Sequence, residues 1–312
     1  MTTTMITPLP LMILMLAILL VVPLGIHISF RAELLTANQR IRHITWRLWI
    51  CCSLPAAIAT SSMLLFYPTN KEDLAYRAAS WIGGVSWFVF TLWMFVLGGA
   101  SLWHFITTLF KNKITQQRVP WERLPVAGGW LFIAVGGLWF TSLIVGKSPW
   151  DYDLRFTMLT ALHFHFAGFA LPVLAGQLIH FSQKNKLAVT KLLIITCPIL
   201  LVSIPFVGIG IAGSPIIEIV ASISLLTCCI LMAVCQIYCA GFIKSHGGWL
   251  LSISATALIA SSIMAIIYAM GEYTGNQSLS IPIMIMSHGA LNSLGFSLLG
   301  LVGWTICQKK SK

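Results

Sequence analysis

Nine long stretches of mainly apolar residues divide this chain, and they limit what it can fold into. A helix that crosses a bilayer needs about 20 such residues. The stretches are residues 8–30, 47–67, 79–110, 126–146, 155–182, 191–211, 216–243, 247–270 and 282–307. The chain is 58% hydrophobic and only 9% charged, whereas soluble domains carry about 25% charged residues. We therefore predict an all-α, polytopic transmembrane bundle of about nine spans, with residues 1–312 forming a single integral membrane domain.

The positive charge of the chain lies in short loops between the apolar stretches. A net charge of +11 can indicate a nucleic-acid partner, but basic residues confined to such loops are typical of the cytoplasmic side of a membrane protein. We expect membrane lipids as partners and no nucleic acid. Fifteen of the 19 Lys and Arg residues follow odd-numbered spans; the other four are Lys71, Arg77, Lys147 and Arg155. This asymmetry predicts an outside N-terminus and a cytoplasmic C-terminus in a bacterial cytoplasmic membrane.

A reporter fusion tests this orientation. A reporter that is active only in the periplasm, fused after Lys312, should give no signal, because fifteen basic residues hold that side in the cytoplasm. The same reporter placed in the loop after Lys147 should be active. A strong signal from the C-terminal fusion would reverse the predicted topology.

All eight cysteines fall within the apolar stretches. No two of them form a CxxC motif that pairs with another, so the spacing indicates neither a disulfide framework nor a zinc site. We expect them to be small core residues and expect no metal site.

Four polar residues in two apolar segments are the main functional candidates. LTALHFHFAGFALP (159–172) carries His163 and His165, and SHGALNSLGF (287–296) carries His288 and Asn292. An imidazole in hydrocarbon needs a hydrogen-bond partner or a ligand, and polar residues inside membranes often mark functional sites. The alternative is that each histidine bonds a neighbouring helix and only stabilises packing.

Helix geometry permits one shared pocket. His163 and His165 lie about 200° apart around a helix and so face opposite sides. At 1.5 Å per residue, both lie in the outer half of the bilayer with His288. We favour His165 as the partner of His288, because Pro172, which should kink the helix, is on its side. Glu218 begins the seventh span near the same level, as a proton donor or counter-ion, or simply as a complement to the helix dipole.

Further residues are candidates for substrate binding. The loop SPWDYDLR (148–155) leads into the fifth span with Asp151, Asp153 and Arg155. Acidic residues at a helix start are more often simply solvated. Aromatic side chains near the histidines and in the third and fourth spans are candidates to line an apolar pocket, although most such residues are core or interfacial. These are Trp87, Trp93, Trp139 and Phe166.

The two histidine segments resemble a known family. PWDYDLRFTMLTALHFHFAGFALP and SHGALNSLGF together resemble the YndJ-like family of bacterial polytopic membrane proteins. The matched positions are His163, His165, Gly168, Pro172, His288, Gly289, Asn292 and Gly295. The resemblance covers about a tenth of the chain. It implies the spans and the motif boundaries, and it implies no particular chemistry.

The sequence leaves several functions open. The favoured hypothesis is an intramembrane enzyme of isomerase or cyclase type that acts on an isoprenoid or lipid-like small molecule, with His163 or His165, His288 and Glu218 moving protons and Asn292 orienting a group. The alternatives are a proton-coupled transporter or permease, and a histidine-ligated metal or haem protein. The sequence indicates neither a cofactor nor an oligomeric state.

Overall fold

The structure is a computed structural model that describes residues 8–66, 73–115 and 118–309. Nine helices in these ranges are long and apolar enough to cross a membrane, and the same ranges contain no β-strand. The prediction of an all-α, nine-span bundle is confirmed. The spans are α1 (Pro8–Arg31), α2 (Gln39–Phe66), α3 (Leu74–Lys111), α4 (Arg123–Val145), α5 (Leu154–Lys184), α6 (Thr190–Gly213), α7 (Pro215–Ala240), α8 (His246–Thr274) and α9 (Ile281–Gln308).

Helices that are consecutive in the chain pack side by side. One row contains α2, α3, α4 and α5, and a second contains α6, α7, α8 and α9. Helix α1 joins them, because it contacts both α5 and α9. The orientation in the bilayer stays a prediction, and Lys71, Lys310 and Lys312, which it uses, lie outside the described residues. We call the end of the bundle at which α5 begins the Leu154 end.

Helix α5 is one of the most buried spans. About two thirds of the residues in its apolar stretch are buried inside the bundle, as in α4. Both of its faces carry small residues, which allow helices to approach closely in a membrane. The backbone of α5 reaches α4 at Gly129, where an added Cβ would lie 3.0 Å from the carbonyl oxygen of Phe169. The position of α5 between its neighbours explains why it presents polar groups on two sides.

Helix α5 widens into a π-helical turn at Phe166–Ala170, directly before Pro172. A proline ring collides with the carbonyl four residues earlier, here that of Gly168, and a locally wider turn relieves that collision. Helix α1 has the same arrangement, with a π turn at Ala17–Val21 two residues before Pro23. The break expected at Pro172 is therefore a change of winding within a continuous span.

Helix α9 is π-helical over Ile285–Gly289 and again over Leu291–Leu298. The second of these segments contacts the π turns of α1 and α5. π turns occur often at functional sites. Three spans thus carry non-standard winding where they meet, next to the two histidine segments.

Glycines set the distance between α3 and α4. An added Cβ at Gly98 would lie 2.9 Å from the carbonyl oxygen of Ala127 and 3.0 Å from the backbone nitrogen of Leu131. At the adjacent Gly99 the nearest atom would be Leu131 Cδ2, at 3.9 Å. Only the first position excludes a side chain.

This contrast gives a matched pair of variants. We expect Gly98→Ala to destabilise the protein by about 1–3 kcal/mol, because the backbone of α4 has to move. Gly99→Ala should be neutral or slightly stabilising, since alanine is the better helix former. Thermal unfolding of the purified protein in detergent measures both. Equal effects would show that the α3–α4 distance is not set at Gly98.

Candidate functional site

His163 of α5 and His288 of α9 form a pair. Their ring centroids lie 6.4 Å apart, with 28° between the ring planes. His163 is nine residues into α5 and His288 seven residues into α9, which corresponds to about 13 Å and about 10 Å of helix rise. Two imidazoles from different spans therefore meet at one level, close enough for one small molecule to contact both.

Each ring of the pair is anchored to a backbone carbonyl. His163 Nδ1 lies 2.8 Å from the carbonyl oxygen of Leu159, one turn earlier in α5. His288 Nδ1 lies 2.8 Å from the carbonyl oxygen of Ser261 in α8, and Ser261 Oγ is 3.0 Å from the same nitrogen. A carbonyl oxygen only accepts, so both Nδ1 atoms carry hydrogen and donate. In the neutral rings each Nε2 then has no hydrogen and carries a lone pair that can accept a hydrogen bond.

The described residues leave both Nε2 atoms without a hydrogen-bond partner. Within the described ranges no hydrogen bond reaches either of them. His163 is exposed at the surface of the bundle, and His288 is half-buried. A polar nitrogen facing hydrocarbon is costly unless it finds a partner, and here that partner has to come from the membrane side or from water that enters beside it.

His165 lies on the other side of α5 and is fully buried. Its Nδ1 donates to the carbonyl oxygen of Ala161 at 2.7 Å, and its Nε2 accepts a hydrogen bond from Trp87 Nε1 at 2.9 Å. The Trp87 ring also lies parallel to it, 6.0 Å away. Both ring nitrogens are thus occupied, and the structure brings His163, rather than the favoured His165, beside His288.

Asn292 is half-buried in the π-helical part of α9. The expectation that it shares a face with His288 assumed a residue spacing of four, as in an α-helix. The i to i+5 bonding of a π-helix widens each turn only slightly, so residues four apart stay on nearly the same side, and the expectation stays a prediction. No hydrogen bond joins Asn292 to either histidine of the pair in the part of the chain that the structure describes.

Glu218 lies in a different place. It lines a pocket at the Leu154 end, where it interacts with Glu272 of α8. Ser261, which holds His288, is three turns away from Glu272 along α8, about 16 Å by helix rise. None of the three candidate histidines lines that pocket. The expected role of Glu218 beside the histidines has no support from its position.

The acidic loop before α5 caps the N-terminus of that helix. Asp153 caps it, since its carboxylate accepts a hydrogen bond from the backbone nitrogen of Phe156 at 2.7 Å. Asp151 and Arg155 are exposed. Asp151 and Trp150 both have positive φ, at 58° and 53°, a conformation that costs energy outside glycine.

The candidate aromatic residues are packed into the bundle. Trp139 contacts Tyr152 and Phe156 at centroid distances of 5.9 and 5.5 Å. Trp93 donates to Thr45 Oγ1 at 3.0 Å, and Phe166 is buried. Trp87 donates a hydrogen bond to His165. All four aromatic side chains therefore pack against or bond to other side chains of the bundle.

Sequence reasoning missed Ser261 as the residue that holds His288. The signal was a pair of serines, Ser261 and Ser262, inside an apolar span, since intramembrane hydroxyls often bond across helices. It also missed Glu272 as the partner of Glu218. No cluster of three His, Cys, Asp or Glu side chains suited to a metal occurs among the described residues, and all eight cysteines are free thiols.

Most of the chain is similar to one protein family. The YndJ-like protein family matches residues 12–296. The uncharacterized membrane protein YndJ of Bacillus subtilis (strain 168) is 25% identical over 257 residues, which are 82% of this chain and 44% of that relative. The chain thus spans less than half the length of this relative. No solved structure matches the chain. With nine helices of spanning length in its described ranges and a family match over residues 12–296, the chain is a multi-pass cell-membrane protein and belongs to the YndJ-like family.

Proposed function

We propose that this protein is an intramembrane enzyme that shifts protons on an apolar or amphiphilic small molecule, with His163 and His288 as its acid–base pair. The observation that carries the proposal is the meeting of two imidazoles from separate spans, each with Nδ1 anchored and Nε2 unengaged. Such rings are oriented for chemistry at Nε2, since the hydrogen bond at one nitrogen sets the tautomer at the other.

The spacing of the pair suits a proton transfer through one substrate group. A general acid or base acts on a group within hydrogen-bond reach, about 2.6–3.2 Å. Ring centroids 6.4 Å apart allow one small molecule to contact both rings.

The reaction class that fits is isomerisation of a carbon–carbon double bond. One imidazolium gives its Nε2 proton to one carbon of the double bond, which places a positive charge on the other carbon of that bond. The second ring, through its neutral Nε2, then removes a proton from the saturated carbon attached to the positively charged one. The double bond moves by one position and the substrate keeps its formula. The two rings exchange protonation states, and proton transfer through water restores them.

The substrate would enter from the bilayer. His163 is exposed at a depth of about 13 Å along α5, where its surroundings are hydrocarbon. An isoprenoid or lipid-like molecule can lie there with its reactive group at Nε2. The non-standard winding of α1, α5 and α9 next to the pair also supports a functional site at this point.

Solvent deuterium tests the proposal. Membranes with the wild-type chain, incubated in D2O with total lipid extract, should place deuterium on carbon in one lipid class. Membranes without the protein, or with the double variant His163→Gln, His288→Gln, should not. Mass spectrometry of the extracts measures this and identifies the substrate. If no lipid gains deuterium although the protein is inserted, the enzymatic proposal fails, and flux measurements for a proton-coupled permease become the next experiment.

A further inference from the structure

A second site lies at the Leu154 end of the bundle, in a pocket of about 410 Å³. It is formed where α6 ends, α7 begins and α8 ends. Its walls are the backbone of residues 210–215 and the side chains of Glu218, Glu272 and Gln277. This volume is within the usual range of small-molecule sites. The pocket is separate from the histidine pair, so a ligand bound in it is independent of the proposed function.

Glu218 is the buried acid of this pocket. Only 7% of its surface is exposed, and among the described residues no basic side chain forms an ion pair with it. Helix packing holds it there, because a Cβ at Gly210 would overlap the Glu218 backbone. Its position in the first turn of α7 offsets part of the cost of burying its charge.

Glu272 faces Glu218 across the pocket. The two carboxyl groups interact, and Tyr268 donates a hydrogen bond to Glu272 Oε1 at 3.0 Å. Two neighbouring carboxylates are both ionised at low cost only when a cation lies between them; otherwise one of them holds a proton. Among the residues that the structure describes, no Lys, Arg or His lines the pocket. The ends of α6 and α8 at Gly213 and Thr274 add the negative ends of two helix dipoles.

The size of the pocket decides between a proton and a larger cation. A shared proton needs no open volume, whereas this pocket holds about 410 Å³. Two carboxylates supply at most four of the six to eight oxygen ligands that Ca²⁺ takes, so a metal ion here would also need backbone carbonyls, Gln277 or water. An adjoining pocket shares Gly271 and is lined by Ile266, Ile267 and Met270, which gives an apolar surface beside the acids. Acids next to an apolar wall match an organic cation.

We propose that this pocket binds a primary ammonium group attached to an apolar chain, with the N–H groups donating to Glu218 and Glu272. Such a group occurs in an amino-lipid headgroup and in a free amine. Both present the same chemistry to the carboxylates. In either case the hydrocarbon would lie along Ile266, Ile267 and Met270.

The test uses the full-length protein in nanodiscs of phosphatidylcholine, which has no primary amine. Butylamine should raise the thermal unfolding midpoint by several degrees in a saturable manner, and tetramethylammonium, which has no N–H, should not. Glu218→Gln and Glu272→Gln should each weaken the response at least tenfold. Asp73→Asn is the matched control, because Asp73 is an exposed helix cap outside the pocket and asparagine caps equally well. It should respond like wild type.

A second arm separates the two sources. Nanodiscs that also contain phosphatidylethanolamine should raise the midpoint and abolish the butylamine response if the ligand is a lipid headgroup. They should leave that response unchanged if it is a free amine. The proposal is overturned if butylamine does not stabilise wild type, if tetramethylammonium stabilises it equally, if both glutamine variants respond as wild type does, or if Ca²⁺ or Mg²⁺ stabilises more strongly than butylamine. Should Glu218→Gln not insert, Glu272→Gln alone decides.

Discussion

Replacing His288 with alanine should lower the rate of solvent-deuterium incorporation by about two to four orders of magnitude, the usual contribution of a general acid or base. His163→Ala should do the same. Each substitution removes one of two imidazole rings whose centroids lie 6.4 Å apart, and with it an unengaged Nε2 atom. The double variant should be little slower than either single one, because both residues act in one step and such effects are not additive.

Stability separates chemistry from packing in these variants. His163 is exposed, so its loss leaves no cavity, and His163→Ala should insert and unfold like wild type. Exogenous imidazole should restore part of its activity, because the site at His163 is open. His246→Ala is the control histidine, exposed at the opposite end of the bundle, and should keep full activity. If His163→Ala lowers yield and unfolding midpoint in step with activity, the pair is structural.

Ser261 provides a more subtle variant of the same site. Its hydroxyl lies 3.0 Å from His288 Nδ1, and its backbone carbonyl accepts from that nitrogen. Ser261→Ala keeps the carbonyl and removes only the hydroxyl. Its activity should therefore fall between wild type and His288→Ala.

The second large effect concerns stability and His165. We expect His165→Ala to destabilise the protein by about 3–5 kcal/mol, because it leaves a cavity between α3 and α5 and removes the acceptor of the buried Trp87 N–H. An added Cβ at Gly136 would lie 2.9 Å from His165 Nδ1, so α4 closes on this ring as well. Thermal unfolding in detergent, with the yield of inserted protein, measures the loss.

A double variant tests the physical reason. His165→Leu alone leaves the Trp87 N–H unsatisfied, and Trp87→Phe alone leaves His165 Nε2 without its donor. Replacing both removes the polar pair altogether, and an apolar pair of similar shape is often nearly neutral. The double variant should therefore be more stable than the sum of the two single losses predicts. An activity loss in His165→Leu without any loss of stability would instead assign His165 to the chemistry.

The spans and their limits follow from the sequence. The fifth apolar stretch, residues 155–182, became Leu154–Lys184, and the ninth, residues 282–307, became Ile281–Gln308. This agreement has a local cause, because a backbone in hydrocarbon satisfies its hydrogen bonds only within a helix, and about 20 apolar residues form one. That His163 and His288 reach one level of the bundle followed in the same way, because similar numbers of residues precede them in their spans.

The histidine that meets His288 was decided by tertiary packing. The sequence places His163 and His165 on opposite faces of α5, and either face could have turned toward α9. The rotation of α5 is set by close contacts with α3 and α4, where Trp87 and Gly136 enclose His165 and so turn His163 outward.

Winding and long-range pairing were also tertiary outcomes. The π segments of α9 form where it packs against α1 and α5, and the hydrophobicity pattern does not indicate them. Glu218 and Glu272 are far apart in the chain, and only the packing of α7 against α8 brings their carboxyl groups together. A hydrophobicity pattern specifies which residues lie within a membrane and how deep. The rotation of each helix depends on side chains of other helices, which no local pattern contains.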